Sequence, residues 1–163
     1  MKVIGVDPGL RISGYAVLEE NKRQLRIDDA GIIRVDTNLS LAERLEQIYR
    51  DIDILLEEHE IELMAVEQLY AHYKHPRTAI LMGHARGMFL LAAACHGVRV
   101  VDFSATRIKK SLTGNGRASK QQMQRSVQTQ LELKTLPTPA DIADALAVAM
   151  CCINEHNREK VTT

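Results

Sequence analysis

The sequence predicts an α/β fold, with a mixed sheet of about five strands and helices on its faces. The order of patterns along the chain carries this prediction. Three strand-like segments come in a row, and helix, strand, helix, strand and further helices follow. The 163 residues are 45% hydrophobic and 26% charged, which fits one globular domain with a core. We assign residues 1–157 to this single domain and residues 158–163 to a C-terminal tail.

The predicted strands are short apolar or alternating segments bounded by turn residues. The first strand ends abruptly at Asp7-Pro8-Gly9, because proline and glycine stop a strand. A turn at Asn21 joins the second and third strands as a hairpin. The strands cover residues 3–6, 15–19, 24–34, 63–66 and 98–103. Open sheets place their chemistry at strand ends, so Asp7 is the first candidate site residue. Alternatively, its carboxylate only accepts hydrogen bonds from the turn.

Capping residues and apolar stripes predict the helices. Ser40 and Glu43 form a capping box before an apolar stripe. Ser104 and Ser119 open two later helices, and prolines break the chain before the last one. The predicted helices cover approximately residues 40–55, 78–95, 104–114, 119–133 and 141–157.

The cysteines and the apolar segments bear on the cellular compartment. The chain has three cysteines, and they show neither a metal-ligand spacing nor an even count for disulfides. We see no signal peptide, and the longest apolar stretch, residues 87–95, is too short to span a bilayer. These features predict a cytoplasmic protein without a membrane partner.

A net charge of zero conceals an uneven distribution of charge. Residues 1–67 contain 15 acids and 8 bases, whereas residues 68–131 contain 10 bases and one acid, Asp102. Residues 132–163 contain 5 acids and 3 bases. The basic middle third predicts a surface that meets an anion, with an ordinary solvated face as the alternative.

Four acidic side chains form a candidate metal site. Asp7 and Glu67 each end a strand, and they meet at one sheet edge if those strands are neighbours. Asp141 and Asp144 lie three residues apart on one face of a helix. That helix is apolar nearly all round, so Asp144 needs a cationic partner. Alternatively, Asp141 is merely a favourable residue at a helix N-terminus.

Four oxygen donors without His or Cys suit hard divalent ions, so we predict Mg²⁺, with Mn²⁺ as a substitute. Two such ions about 3.5–4 Å apart form the clamp used for in-line displacement at phosphorus. One ion activates water and the other stabilises the leaving 3′ oxygen. We therefore expect one or two ions in each subunit.

Basic and glycine-rich segments supply candidate nucleic-acid contacts. Tyr70 or Tyr73 can stack on a base, while Lys74 and Arg77 can meet phosphates. Farther on, Arg107, Lys109 and Lys110 precede the segment 114–120, which contains Arg117 and Lys120. The glycines in that segment leave backbone N–H groups bare before a helix N-terminus, as in many phosphate sites.

Ala79, Gly83 and Gly87 form a stripe of small residues along the long helix. Each glycine inside a helix costs about 1 kcal/mol relative to alanine, so the stripe requires a packing partner. That partner is either the sheet of this domain or the same helix of a second subunit in a two-fold dimer.

Five motifs together resemble the RuvC-type Holliday-junction resolvases, crossover junction endodeoxyribonucleases with a ribonuclease-H-like fold. The matching segments are 5–9 with Gly14-Tyr15, 66–68, 83–87, Lys109 with Gly114, Gly116, Ala118 and Lys120, and 141–146. They keep their order and spacing over residues 1–157. The resemblance implies a single ribonuclease-H-like nuclease domain over this range.

The resemblance also implies roles for particular residues. Asp7, Glu67, Asp141 and Asp144 correspond to the four metal-binding carboxylates of the family. Lys109 and Lys120 correspond to its DNA-contacting lysines, and Tyr70 replaces a stacking phenylalanine. The family acts as a homodimer on four-way junction DNA, leaving 5′ phosphates and 3′ hydroxyls. Its bacterial partner is an ATP-driven branch-migration helicase complex.

Three other classes of protein share some of these features. A ribonuclease-H-fold nuclease acting on RNA–DNA hybrids uses the same carboxylates, although it needs neither the basic glycine-rich segment nor the dimer helix. An actin-like phosphotransferase needs two lobes, for which 163 residues are too few. A junction-binding module that does not cut gains nothing from four acids beside phosphates, since like charges repel.

Overall fold

A computed structural model describes residues 1–69 and 76–162, apart from the side chains of residues 161 and 162. Its strands are β1 (Lys2–Asp7), β2 (Ile12–Asn21), β3 (Gln24–Arg34), β4 (Leu63–Glu67) and β5 (Arg99–Phe103). Its helices are α1 (Leu41–Glu58), α2 (Pro76–Cys95), α3 (Ala105–Thr113), α4 (Lys120–Gln130) and α5 (Ala140–Thr162).

The five strands form one mixed sheet in the order β3-β2-β1-β4-β5. The first three strands pair antiparallel as a meander, whereas β4 lies parallel to β1 and β5 lies parallel to β4. Helical crossovers therefore separate the parallel strands in sequence. The predicted α/β architecture is confirmed, and β1 is the central strand.

Helices cover both faces of the sheet and create two hydrophobic cores. On one face α5 packs against β1 and β2, with α3 and α4 beside it. On the other face α1 and α2 pack against each other and against the sheet. Alternate residues of β1 face opposite cores: Val3 belongs to the α5 core, while Ile4 and Val6 belong to the α1–α2 core.

The structure moves several predicted boundaries. The hairpin turn lies at Lys22 and Arg23, which both have positive φ, rather than at Asn21. Strand β2 begins at Ile12, three residues before the predicted start. Helix α4 ends at Gln130 instead of residue 133, and α5 continues through residue 162 instead of ending near 157.

Helix α2 corrects the expectation drawn from the short apolar stretch 87–95. Among the described residues, this one helix is long and apolar enough to cross a membrane, by length and composition alone. One such helix is weak evidence for a membrane span, because a core helix of a soluble protein passes the same test. Its apolar surface nevertheless has to be explained.

Candidate active site

Strand pairing brings Asp7 and Glu67 to one edge of the sheet. Because β1 and β4 are parallel with Val6 opposite Val66, their last residues are neighbours. Gly5 and Ala65 are also opposite each other, and Ala65 belongs to the α5 core. Since side chains alternate along a strand, Asp7 and Glu67 face the α5 side of the sheet. The predicted meeting of these two strand ends is confirmed.

Two glycines allow α5 to approach this edge closely. A Cβ atom on Gly14 would lie 2.0 Å from the backbone oxygen of Asp141. A Cβ atom on Gly5 would lie 2.3 Å from the backbone oxygen of Ala145. Gly14 is also the register partner of Asp7 on β2. The missing side chain of Gly14 therefore places the start of α5 beside the end of β1.

Burial and the neighbouring acids change the titration of the two strand-end carboxyls, Asp7 and Glu67. Burial, followed by the charges of the Asp144, Glu67 and Asp141 carboxylates, raises the pKa of Asp7 to about 7. Burial and then the charge of Asp144 raise the pKa of Glu67. Because like charges are close in a partly buried site, the neighbouring carboxylates make ionisation of Asp7 and of Glu67 less favourable. The four acids are thus one electrostatic group.

Lys120 supplies the cation that the sequence predicted for Asp144. Its Nζ atom lies 2.9 Å from Oδ2 of Asp144. This contact raises the pKa of Lys120. The Asp144 side chain is 28% exposed, so the pair lies at the border between the core and solvent.

The carboxylates have the right chemistry for a hard cation, although they are not arranged as a closed set of ligands. Within residues 1–69 and 76–162, no three His, Cys, Asp or Glu side chains converge at metal-binding distances. Burial and then repulsion by neighbouring acids raise the pKa values of Asp7 and Glu67, and a divalent cation would relieve both costs. An all-oxygen donor set suits Mg²⁺ or Mn²⁺. The residues fit such an ion chemically.

Two open clefts adjoin Glu67. One, of about 240 Å³, lies between the sheet edge and α3–α4, and Lys109, Lys120 and Asp144 are in its lining. The other, of about 210 Å³, lies on the α2 side and contacts Asp7, Gln68 and Met82. Glu67 thus has cleft space on two sides, one of them flanked by lysines.

Ser13 is a residue of this region that the sequence reasoning missed. It is the one fully buried polar side chain in the described part of the chain. Its hydroxyl accepts a hydrogen bond from Gly9 N–H at 2.9 Å and donates one to Gly9 O at 2.8 Å. Ser13 therefore fixes the turn that follows Asp7. A serine beside Gly14 gives no periodic or spacing signal for this role.

The predicted nucleic-acid contacts have different positions. Arg77 is exposed in the first turn of α2, and Arg117 is exposed before α4. Lys109 and Lys120 line the larger cleft. Tyr70 lies outside the described residues, as do Tyr73 and Lys74. Contacts of all these residues with DNA stay predictions.

Gly83 and Gly87 do not face the sheet of this domain. A Cβ atom on either glycine would meet no atom of the described residues within 4 Å. Ile80 and Leu91 on the same helix are 61% and 49% exposed. Of the two partners that the sequence left open for these glycines, the domain's own sheet is excluded.

Known proteins of one family are similar to this chain over most of its length. Residues 3–152 match the family model for crossover junction endodeoxyribonuclease RuvC. A relative of that description from Rhodopirellula baltica is 48% identical over 149 residues, 91% of this chain and 84% of the relative. The solved Thermus thermophilus RuvC structure has a TM-score of 0.89 at 28% identity and covers 98% of this chain and 97% of that one. T. thermophilus RuvC in complex with Holliday junction substrate has a TM-score of 0.88 at 26% identity, covering 97% and 96%. The mixed five-stranded sheet flanked by helices is accordingly a ribonuclease-H-like fold.

Proposed function

The chain belongs to the RuvC family of crossover junction endodeoxyribonucleases, and we propose that Asp7, Glu67, Asp141 and Asp144 form its active site. It is a nuclease that resolves Holliday junctions, as the curated relatives and the junction-bound neighbour indicate. The observation that carries the proposed site is geometric: the register of β1 with β4 and the close approach of α5 at Gly14 bring the ends of both strands and the start of α5 to one edge of the sheet.

Metal dependence follows from the family, and the chemistry of the donors favours Mg²⁺ with Mn²⁺ as a substitute. One or two ions held by the four carboxylates would activate water and stabilise the leaving 3′ oxygen. Asp7 and Glu67 hold the strand side of the site, and Asp141 and Asp144 hold the helix side. The fixed strands limit how far these carboxylates can move apart.

Lys109 and Lys120 are proposed to bind the phosphates on either side of the cleaved bond. Both line the cleft beside Glu67 and Asp144, where a phosphodiester must lie for in-line attack. When DNA enters the cleft, the Lys120 ammonium moves partly away from Asp144 and contacts a phosphate. Arg77, Arg117 and Tyr70 are proposed as contacts with the junction arms.

A homodimer is proposed to cut two opposed strands. A four-way junction presents two equivalent strands, and a two-fold dimer presents two equivalent sites. The exposed face of α2 supports this arrangement, because Gly83 and Gly87 are open and Ile80 and Leu91 are exposed. With Ala79 these glycines form the proposed interface. A branch-migration helicase complex is the proposed partner, and a cytoplasmic location fits a nuclease that acts on DNA.

Cleavage of a synthetic four-way junction with a homologous core tests the function. We expect paired symmetric nicks with 5′ phosphates and 3′ hydroxyls in Mg²⁺ and none with chelator. Asp7→Asn should abolish cleavage while junction binding persists. The matched control is Glu57→Gln, a neutralised exposed carboxylate on α1. Efficient cutting of an RNA–DNA hybrid in place of the junction would instead favour the alternative ribonuclease-H-fold nuclease.

A further inference from the structure

Arg86 on α2 is held in an unusual environment. Its guanidinium makes an ion pair with Asp102 on β5, and its side chain is only 20% exposed. Within the described residues, its Nε is the single buried side-chain nitrogen or oxygen without a hydrogen-bond partner. A buried N–H without an acceptor lowers stability.

This partly exposed ion pair adds little to the stability of the fold. The Asp102 side chain is 42% exposed, so water screens the pair, and its attraction offsets little of the cost of the unpaired N–H. Asp102 is also the one acid between residues 68 and 131. An ion pair with an unpaired buried donor in an otherwise basic part of the chain points to a role beyond stability.

The strand beside Asp102 connects this ion pair to Glu67. On β5, Asp102 lies opposite Val66 and Phe103 lies opposite Glu67 in the parallel register. The backbone oxygen of Phe103 accepts the N–H of Gln68 at 2.9 Å. This hydrogen bond fixes the backbone immediately after Glu67. Strand β5 thus holds the backbone at the end of β4.

Helix α2 contacts the same region by a second route. Met82 lies one helical turn before Arg86 and lines the cleft that Asp7 and Glu67 share. The ion pair therefore ties the helix that closes one side of the site to the strand that fixes Glu67.

We propose that Arg86 and Asp102 are a positioning pair, which clamps α2 to the end of β5 and thereby holds Glu67 in register with Asp7. This inference rests on the proposed active site. Neither residue touches the reacting atoms. Arg86 lies between Gly83 and Gly87 in the sequence of α2. The pair therefore also connects the helix that carries the proposed dimer face to the strand beside Glu67.

Asp102→Asn tests the proposal, because it removes the acid from the partly exposed side of the pair and leaves α2 unchanged. We expect the single-turnover nicking rate in Mg²⁺ to fall roughly 10- to 100-fold, as small misplacements of catalytic groups do. Junction affinity in chelator should stay within about twofold, because no DNA contact is lost. Hydrogen exchange of the Gln68 amide should be faster by about tenfold or more.

The controls separate positioning from general stability. Glu46→Gln breaks the exposed Arg50–Glu46 pair on α1 and should change none of the three measurements. The exchanged variant Arg86→Asp/Asp102→Arg restores opposite charges, and it should recover part of the nicking rate and slow the Gln68 exchange again. Unchanged exchange at Gln68 and an unchanged nicking rate in Asp102→Asn overturn the positioning role. If Asp7→Asn still cuts junctions, the proposed active site itself fails, which is a distinguishable result.

Discussion

The carboxyl group of Asp7 titrates near neutral pH because it is buried and faces three other acids, so its pKa is about 7. The pKa in the unfolded chain is near the ordinary value of 3.8. Since the folded pKa is the higher one, protonated Asp7 stabilises the metal-free fold below about pH 4. That contribution is lost as the pH rises through 7, and it amounts to roughly 4 kcal/mol.

The sign of this linkage gives a first test. In chelator, the free energy of unfolding of the wild type should fall from pH 4.5 to pH 8 relative to that of Asp7→Asn, as urea titrations measure. Mn²⁺ binding to the wild type should strengthen over the same range, because a ligand carboxylate must lose its proton. Parallel pH profiles for the two proteins would show that Asp7 is not the group that titrates.

Lys120 has two partners in the proposed mechanism, Asp144 in the free protein and a phosphate in the complex. Lys120→Ala should lower the slope of log affinity against log salt by about one phosphate contact in junction binding. Lys160→Ala, at the exposed end of α5, is the matched loss of one lysine and should leave the slope unchanged. Equal slopes for the Lys120→Ala variant and the wild type would remove Lys120 from the DNA interface.

Strand β2 and helix α5 meet through a glycine whose replacement should be far more harmful than an ordinary glycine substitution. A Cβ atom on Gly14 would lie 2.0 Å from the backbone oxygen of Asp141, so α5 would have to shift to accommodate an alanine. We expect Gly14→Ala to destabilise the protein by about 1–3 kcal/mol, as overpacking does. Nicking should also fall, because Asp141 moves relative to Asp7.

Gly83→Ala is the matched control for Gly14→Ala. Its Cβ atom meets nothing within 4 Å, and alanine is the better helix former. The stability of the fold should therefore stay the same or rise by about 0.5–1 kcal/mol. Thermal unfolding of both variants measures the contrast, and equal stabilities would contradict the close approach of α5 to β2.

The elements themselves could be predicted well where local chemistry defines their ends. Ser40 and Glu43 form both hydrogen bonds of the predicted capping box. The prediction for the hairpin turn was wrong by one residue, since Lys22 and Arg23 adopt the left-handed conformation that sequence patterns assign to asparagine or glycine. Contacts of the surrounding strands override that local preference.

The site could be predicted where the order of the strands and helices along the chain implies which of their ends are in contact. The proximity of Asp7 and Glu67 could be predicted because each ends a strand. The need of Asp144 for a cationic partner could be predicted because it lies in an apolar helix. The Arg86–Asp102 pair and the Ser13–Gly9 hydrogen bonds could not be predicted, because they depend on which residues the tertiary packing turns towards one another. Sequence periodicity gives the face of an element and not the partner across it.

Dimerisation is the property of the whole molecule that the proposed paired cleavage requires. Gly83→Leu/Gly87→Leu fills open space on α2, so each chain should fold normally. In a dimer that buries this stripe, the added side chains would hold the two helices apart. We expect sedimentation at one protein concentration to show a dimer for the wild type and a monomer for this variant.

Cleavage should change together with the assembly. A monomer carries one complete active site, so the leucine variant should nick single strands slowly and lose the paired, symmetric products. Ala42→Leu adds an apolar side chain at an exposed site on α1 and controls for surface hydrophobicity. A leucine variant that remains dimeric and cuts in pairs would place the interface elsewhere on the molecule. The exposed Ile80 and Leu91 would then need a different partner.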